Sequence, residues 1–189
     1  SLARGIGGIK LKVGQPDHQL DVQRVEAVRK HLGSTAALMV DANQQWDRTT
    51  ARRMGRIFES LELVWIEEPL DAYDHEGHAA LAAALDTPIA TGEMLTSAAE
   101  CSDLIGHRAA DYVMPDAPRV GGVTPFLKVA AICHLAPIKA STSSVLAIGS
   151  TYQQCLTPNS AYTASLSVRS IACVDGDSTS QIQSGEVSM

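Results

Sequence analysis

Four short apolar runs in this chain each end on a carboxylate and recur at a nearly constant interval. ALMVD closes at Asp41, LVWIE at Glu67, PIATGE at Glu93 and YVMPD at Asp116, so the spacings are 26, 26 and 23 residues. That interval holds one strand, one helix and two loops. An earlier run, GGIKLKVG at residues 7–14, has the same apolar character but carries Lys10 and Lys12 in place of an acid. Burying the apolar part of such a run is favourable, whereas an ionised acid at its end is costly unless something positive faces it. In LVWIEEPL two adjacent acids, Glu67 and Glu68, stand in that position before Pro69. The chain must therefore fold so that several strand ends meet a common source of positive charge.

Helical patterns fill the gaps. Residues 17–32 place Leu20, Val22, Val25, Val28 and Leu32 at mostly three- and four-residue intervals, the stripe of an amphipathic helix. Residues 47–61 repeat it with Met54, Ile57, Phe58 and Leu61, opened by Asp47 as an N-cap. HEGHAALAAAL, AAECSDLIGH and TPFLKVAAICHL supply three more helices. Strand and helix alternating at this period predict parallel β/α units. A doubly wound open sheet would need a glycine-rich nucleotide loop after its first strand, and no GxGxxG is present. The expected fold is thus α/β, a TIM-like (β/α) barrel whose C-terminal strand ends share one face. Six or seven units fit, so the first strand is expected to be missing.

Composition narrows the partners. With 189 residues, 45% of them hydrophobic, the chain can fill one sizeable core. A net charge of −6 without a basic cluster argues against nucleic acid. There is no signal peptide and no apolar run long enough to span a bilayer. Cys101, Cys133, Cys155 and Cys173 form no CxxC pair and read as reduced core thiols, so a cytoplasmic setting is expected. Residues 1–139 carry the β/α motifs. Residues 140–189 hold 17 Ser or Thr and four charged residues, and read as a diverged barrel end or a tail.

Converging carboxylates repel one another and shift one another's pKa values. A divalent cation resolves this, and Mg2+ takes oxygen ligands while leaving positions for substrate. Asp41, Glu67 and Glu93 are the expected metal ligands; the bland alternative is acids that cap helices or make ordinary ion pairs. Lys10 and Lys12 alternate with Ile9, Leu11 and Val13, which puts both lysines on one strand face, where a lysine can serve as a base. His75 and His78 form an HxxH that lacks enough zinc ligands and reads as a surface helix start. Gly121 and Gly122 read as turn residues, and His134 as a helix residue.

Together, KLK at 10–12, VDANQ at 40–44, WIEEP at 65–69, GE at 92–93 and PDAPRVGG at 115–122 resemble the mandelate racemase branch of the enolase superfamily. DANQQWDR, EEPLDAYDHEGH, TPIATGEMLTS and PDAPRVGGVTPFLK look closest to its L-talarate/galactarate dehydratase group. The resemblance is dense over residues 5–130. It implies a capping domain ahead of the barrel, expected to be missing here, and Mg2+ stabilising an enediolate formed when a base removes the proton α to a carboxylate. By the same resemblance Asp41, Glu67 and Glu93 hold the metal. Lys12 is the base, Lys10 lies near the substrate carboxylate, Asn43 contacts substrate, and Asp116 is the acid that orients a seventh-strand histidine. Asp116 argues against the muconate-lactonizing branch.

That histidine has no counterpart. Counted without gaps from Phe126 its place falls on Ser143; matching LAP at 135–137 puts Ile138 there. The family's following glutamate falls on Ala147, and its last-strand glutamate near Ala164. The resemblance implies a Mg2+-dependent hydro-lyase acting on an acid sugar such as galactarate or L-talarate, a homo-oligomer at full length. The alternatives are a non-catalytic metal-binding remnant and a racemase of the same superfamily.

Overall fold

The computed structural model describes residues 7–136 and 138 with their side chains, and the backbone of 139–140, 145–146, 150–151 and 171–174. Six strands in chain order, β1 (Gly8–Lys12), β2 (Ala37–Asp41), β3 (Ile66–Glu67), β4 (Ile89–Thr91), β5 (Tyr112–Val113) and β6 (Lys139–Ala140), lie side by side, all parallel. Between them run α1 (His18–Leu32), α2 (Arg48–Phe58), α3 (His75–Ala84), α4 (Ala98–Gly106) and α5 (Val123–Leu135). β7 (Val145–Leu146) and β8 (Ser150–Thr151) form an antiparallel pair. β9 (Ile171–Val174) joins the main sheet parallel to β1, giving the order β6-β5-β4-β3-β2-β1-β9. The edge of β1 at which a missing strand was expected is thus taken by a strand from the far end of the sequence. Most of residues 140–189, including Ser143, Ala147, Ala164 and Cys155, lie outside the described residues.

The helices begin where their caps predict. Asp17 accepts from the Gln19 and Leu20 amides, Asp47 from Thr50, Asp74 from Gly77 and Ser97 from Glu100, each satisfying an amide that has no partner within its helix. The helix expected over 47–61 stops at Phe58 and tightens into a 3-10 turn at Glu59–Leu61, closed by Glu62 in the left-handed region at φ 51°.

Period two divides the sheet into two faces. One packs against the helices: Leu11, Val13, Leu38, Val40, Ile66 and Ile89 share a core with Val25 of α1, Met54 and Phe58 of α2 and Leu81 of α3. Val113 continues this layer into a second core with Leu104 of α4 and Val129 and Cys133 of α5. The other face carries Met39, Trp65, Ala90, Tyr112 and Met114 as a small apolar cluster. In strand phase with these stand Lys10, Lys12, Asp41 and Glu67. The charged groups therefore cap an apolar floor at the C-terminal ends of β1–β3. Among the described residues, no helix is long and apolar enough to cross a membrane.

Candidate active site

The β1–β2 register sets Lys10 opposite Met39 and Lys12 opposite Asp41, so the two lysines and the acid project to one side. Lys12 Nζ donates to Asp41 Oδ2 at 2.7 Å. Lys10 Nζ reaches the same oxygen at 3.1 Å and donates to Glu67 Oε1 at 2.6 Å. Asp41 Oδ1 accepts from the Asn43 amide at 3.0 Å, and Glu67 Oε2 from the Trp65 indole at 3.0 Å. Asp41 and Glu67 are fully buried. The Lys10 side chain is 12% exposed and that of Lys12 28%, so Lys12 is the more open to the strand-end mouth.

The acids respond differently to one enclosure. Burial works to raise the Asp41 pKa, but Lys10, Lys12 and the Asn43 amide outweigh it and hold the carboxyl below its ordinary range. Glu67 ends above its ordinary range: burial raises it, Lys10 opposes, and the Asp41 charge adds to burial. Glu68 goes further. Burial, reinforced by the charge of Glu93, pushes it up to about 8, and one hydrogen bond from Gln44 does not compensate. Its Oε1 is buried without a partner, the cost expected of an acid with no cation beside it.

The two expected strand-end acids further along sit beyond their strands. β4 stops at Thr91, and Gly92 at φ 122° breaks the extended run before Glu93. Glu93 is half-buried and acts on Glu68. β5 stops at Val113, and Asp116 sits in the following turn, its Oδ1 accepting from the Arg119 amide at 2.9 Å. Asn43 adopts φ 44°, its amide on Asp41. The structure thus brings Lys10, Lys12, Asp41 and Glu67 into direct contact and Glu93 against Glu68. Asp41, Glu67 and Glu93 are not gathered to within 4.8 Å of one another; among the described residues the one group of three potential ligands that is so gathered is His75, Asp103 and His107. The positive charge found between Asp41 and Glu67 is Lys10, which holds the pair together while Glu93 stands beyond the Gly92 turn.

Two supporting residues escaped the sequence reading. Trp65 holds Glu67 from two positions upstream on the same strand face; that i, i+2 spacing was the available signal. Gln44 bonds Glu68 with its amide nitrogen and accepts from the Ala72 amide with its oxygen, a cross-loop role without a periodic signature. The expected surface histidines are also corrected. His78 is fully buried and the His75 side chain only 11% exposed, its Nδ1 lying 3.1 Å from Asp103 of α4. Gly121 and Gly122 are turn residues at φ 94° and 106° ahead of α5, and Ile138 packs against the α4–α5 core.

The donor set is all carboxylate oxygen with an orphaned acid beside it, which fits a hard divalent ion. A sequence model of the family described as enolase C-terminal domain-like matches residues 1–187. L-talarate/galactarate dehydratase of Salmonella typhimurium is 68% identical over 129 residues, 68% of this chain and 32% of that protein. The 3,6-anhydro-alpha-L-galactonate cycloisomerase of Streptomyces coelicolor is 40% identical over 133 residues, 70% of this chain and 37% of that protein. The chain therefore spans about a third of the length of these curated relatives. In crystal structures, L-talarate dehydratase from Polaromonas, complexed with Mg and L-glucarate, superposes with a TM-score of 0.75 at 71% identity, covering 78% of this chain and 39% of that one. On the family match and on these likenesses, the chain belongs to the enolase C-terminal domain-like family.

Proposed function

We propose that this chain carries the metal and lysine half of a Mg2+-dependent hydro-lyase acting on an acid sugar of the galactarate or L-talarate class. The observation that carries it is the convergence of Lys10 and Lys12 on Asp41 and Glu67 at the ends of three adjacent strands. Asp41, Glu67 and Glu93 would hold the ion, which supplies Lewis-acid stabilisation of the charge developing on the substrate carboxylate. Lys10, the more enclosed amine, neutralises that carboxylate. Lys12, open to the mouth, would act as the neutral amine, its contact with Asp41 released where Asp41 holds the ion, and accept the proton α to that carboxylate. Breaking the Cα–H bond sends its electron pair toward the carboxylate; the β-hydroxyl then leaves as water with a proton supplied from the site, and the resulting enol ketonises. Asn43 contacts the substrate, and Asp116 lies on the rim as a positioning residue. The protein is read as cytoplasmic and, at full length, homo-oligomeric.

The test adds galactarate or L-talarate and MgCl2 to the protein and follows both keto-acid formation and α-proton exchange in D2O. Both are expected in the protein and lost in Lys12→Ala; absence of Mg2+-dependent exchange overturns the reading. One observation favours a second reading, a metal-binding chain without turnover: Ile138, at one of the two positions where a histidine base is expected, is apolar and packed into the core. That reading predicts Mg2+ binding lost in Asp41→Asn with no exchange in any variant. Exchange with inversion and no loss of water would instead indicate a racemase.

A further inference from the structure

We propose a second metal site, for a divalent transition ion such as Zn2+, formed by His75, Asp103 and His107 on the helical outer layer. It is separate from the strand-end acids and does not rest on the functional reading above.

Asp103 lies on α4 and His107 caps its C-terminus one turn later, so the two share a helix face. His75 opens the neighbouring α3. The Asp103 carboxylate stands between the two rings, Oδ2 3.1 Å from His75 Nδ1 and Oδ1 3.6 Å from His107 Nδ1. The ring centroids are 5.5 Å apart, and one donor atom from each residue lies within 4.8 Å of the others. Ligands at about 2.0–2.2 Å on a tetrahedral ion sit roughly 3.3 Å from one another, so the observed separations need only small rotations to close. Asp103 and His107, with side chains 62% and 47% exposed, are free to make them.

The hydrogen bonds favour ligation as well as proximity. His107 Nδ1 donates to the Asp103 carbonyl at 2.9 Å. A carbonyl only accepts, so a neutral ring there presents Nε2 as a bare lone pair, the arrangement that orients metal-bound imidazoles. At His75 it is Nδ1 that faces Asp103, so an ion between them would take Nδ1 and leave the ring proton on Nε2, which has no hydrogen-bond partner. Neither ring is therefore committed at both nitrogens. Two imidazoles and one carboxylate suit Zn2+, Ni2+ or Co2+ far better than Mg2+, and the three leave a fourth position to water. An ion here would tie the start of α3 to the end of α4.

The experiment titrates ZnCl2 into the 189-residue chain in excess MgCl2, which keeps the strand-end carboxylates occupied, and follows heat release and thermal unfolding. One Zn2+ per chain is expected, with a raised unfolding midpoint. Affinity should fall at least about tenfold in His107→Ala and be lost in Asp103→Ala/His107→Ala. Both residues are exposed, so each variant should unfold at the parent midpoint without Zn2+, and Co2+ should give a visible d–d band in the parent alone. Absence of Zn2+ binding to the parent, or unchanged affinity in the double variant, overturns the proposal.

Discussion

Lys12 and Asp41 are direct partners in the β1–β2 register, and their side chains close a contact of 2.7 Å at the same level. Partners on adjacent parallel strands project to the same side, so the pairing of backbones aims this ammonium at this carboxylate. Lys10, one pleat earlier, is opposite Met39 but extends far enough to share Asp41 Oδ2 and bond Glu67. Strand register therefore sets the charge pairing before any ligand arrives.

Asp41→Asn should be the most damaging isosteric change in this cluster. It leaves two partly enclosed ammonium groups facing an amide that offers one oxygen and no charge. Removing one member of a buried ion pair costs about 3–5 kcal/mol; with Lys12 still 28% exposed, the lower end is expected. Urea unfolding should show a lower midpoint at unchanged slope. Mg2+ binding, measured by calorimetry, should fall below detection in the same variant.

How far the sequence foretold this site depends on the residue. Lys10, Lys12, Asp41 and Glu67 were legible because strand period and a constant repeat fix both face and height. Glu93 and Asp116 were placed at strand ends, but β4 and β5 stop two and three residues earlier, at Thr91 and Val113. What carries the chain past those ends is the left-handed Gly92 and the Asp116 turn, where hydrophobic period says nothing. The His75–Asp103–His107 cluster was illegible for another reason. His75 and the Asp103–His107 pair sit on different helices, 28 residues apart at the nearest crossing, and only helix packing joins them.

Glu68 should make the protein less stable as pH rises, in chelator. Its folded pKa is about 8 against an ordinary 4.5, because burial and then Glu93 disfavour its charge. Between those values the folded state keeps a proton that the unfolded state has released, so stability falls across that window and is fully retained only below it. Allowing for water reaching a strand end, the loss is on the order of 3 kcal/mol. Unfolding midpoints from pH 5 to 8 should slope downward in the parent and flatten in Glu68→Gln. An equal slope in both would assign the effect elsewhere.

Gly14→Ala should destabilise although it changes no charge. Gly14 lies at φ 96°, and an added Cβ would come within 2.8 Å of both the Ala42 carbonyl oxygen and the Gln45 Cβ. Its amide also donates to the buried Asp21 at 2.7 Å, tying the exit of β1 to α1. Left-handed strain and overpacking together cost about 3 kcal/mol. Because this exit follows Lys12 by two residues, the variant should also weaken α-proton exchange more than its stability loss alone explains, when both are measured at a temperature where it is fully folded.

Trp65→Phe separates what the indole nitrogen does from what the ring does. Phenylalanine keeps most of the apolar floor beside Tyr112, whose ring lies 5.4 Å from Trp65, but gives up the hydrogen bond to Glu67 Oε2. A hydrogen bond to a charged acceptor is worth about 1.5–3 kcal/mol, and losing it leaves a buried carboxylate with Lys10 alone. Glu67 already sits above its ordinary range through burial and the nearby Asp41, so removing a donor raises it further. A more easily protonated Glu67 competes with cation binding. The Mg2+ affinity of Trp65→Phe should therefore fall below the parent value, and by a wider margin at lower pH than at higher pH. A uniform loss at every pH would mean the ring supports the site by packing, and no loss at all would remove Glu67 from the metal ligands.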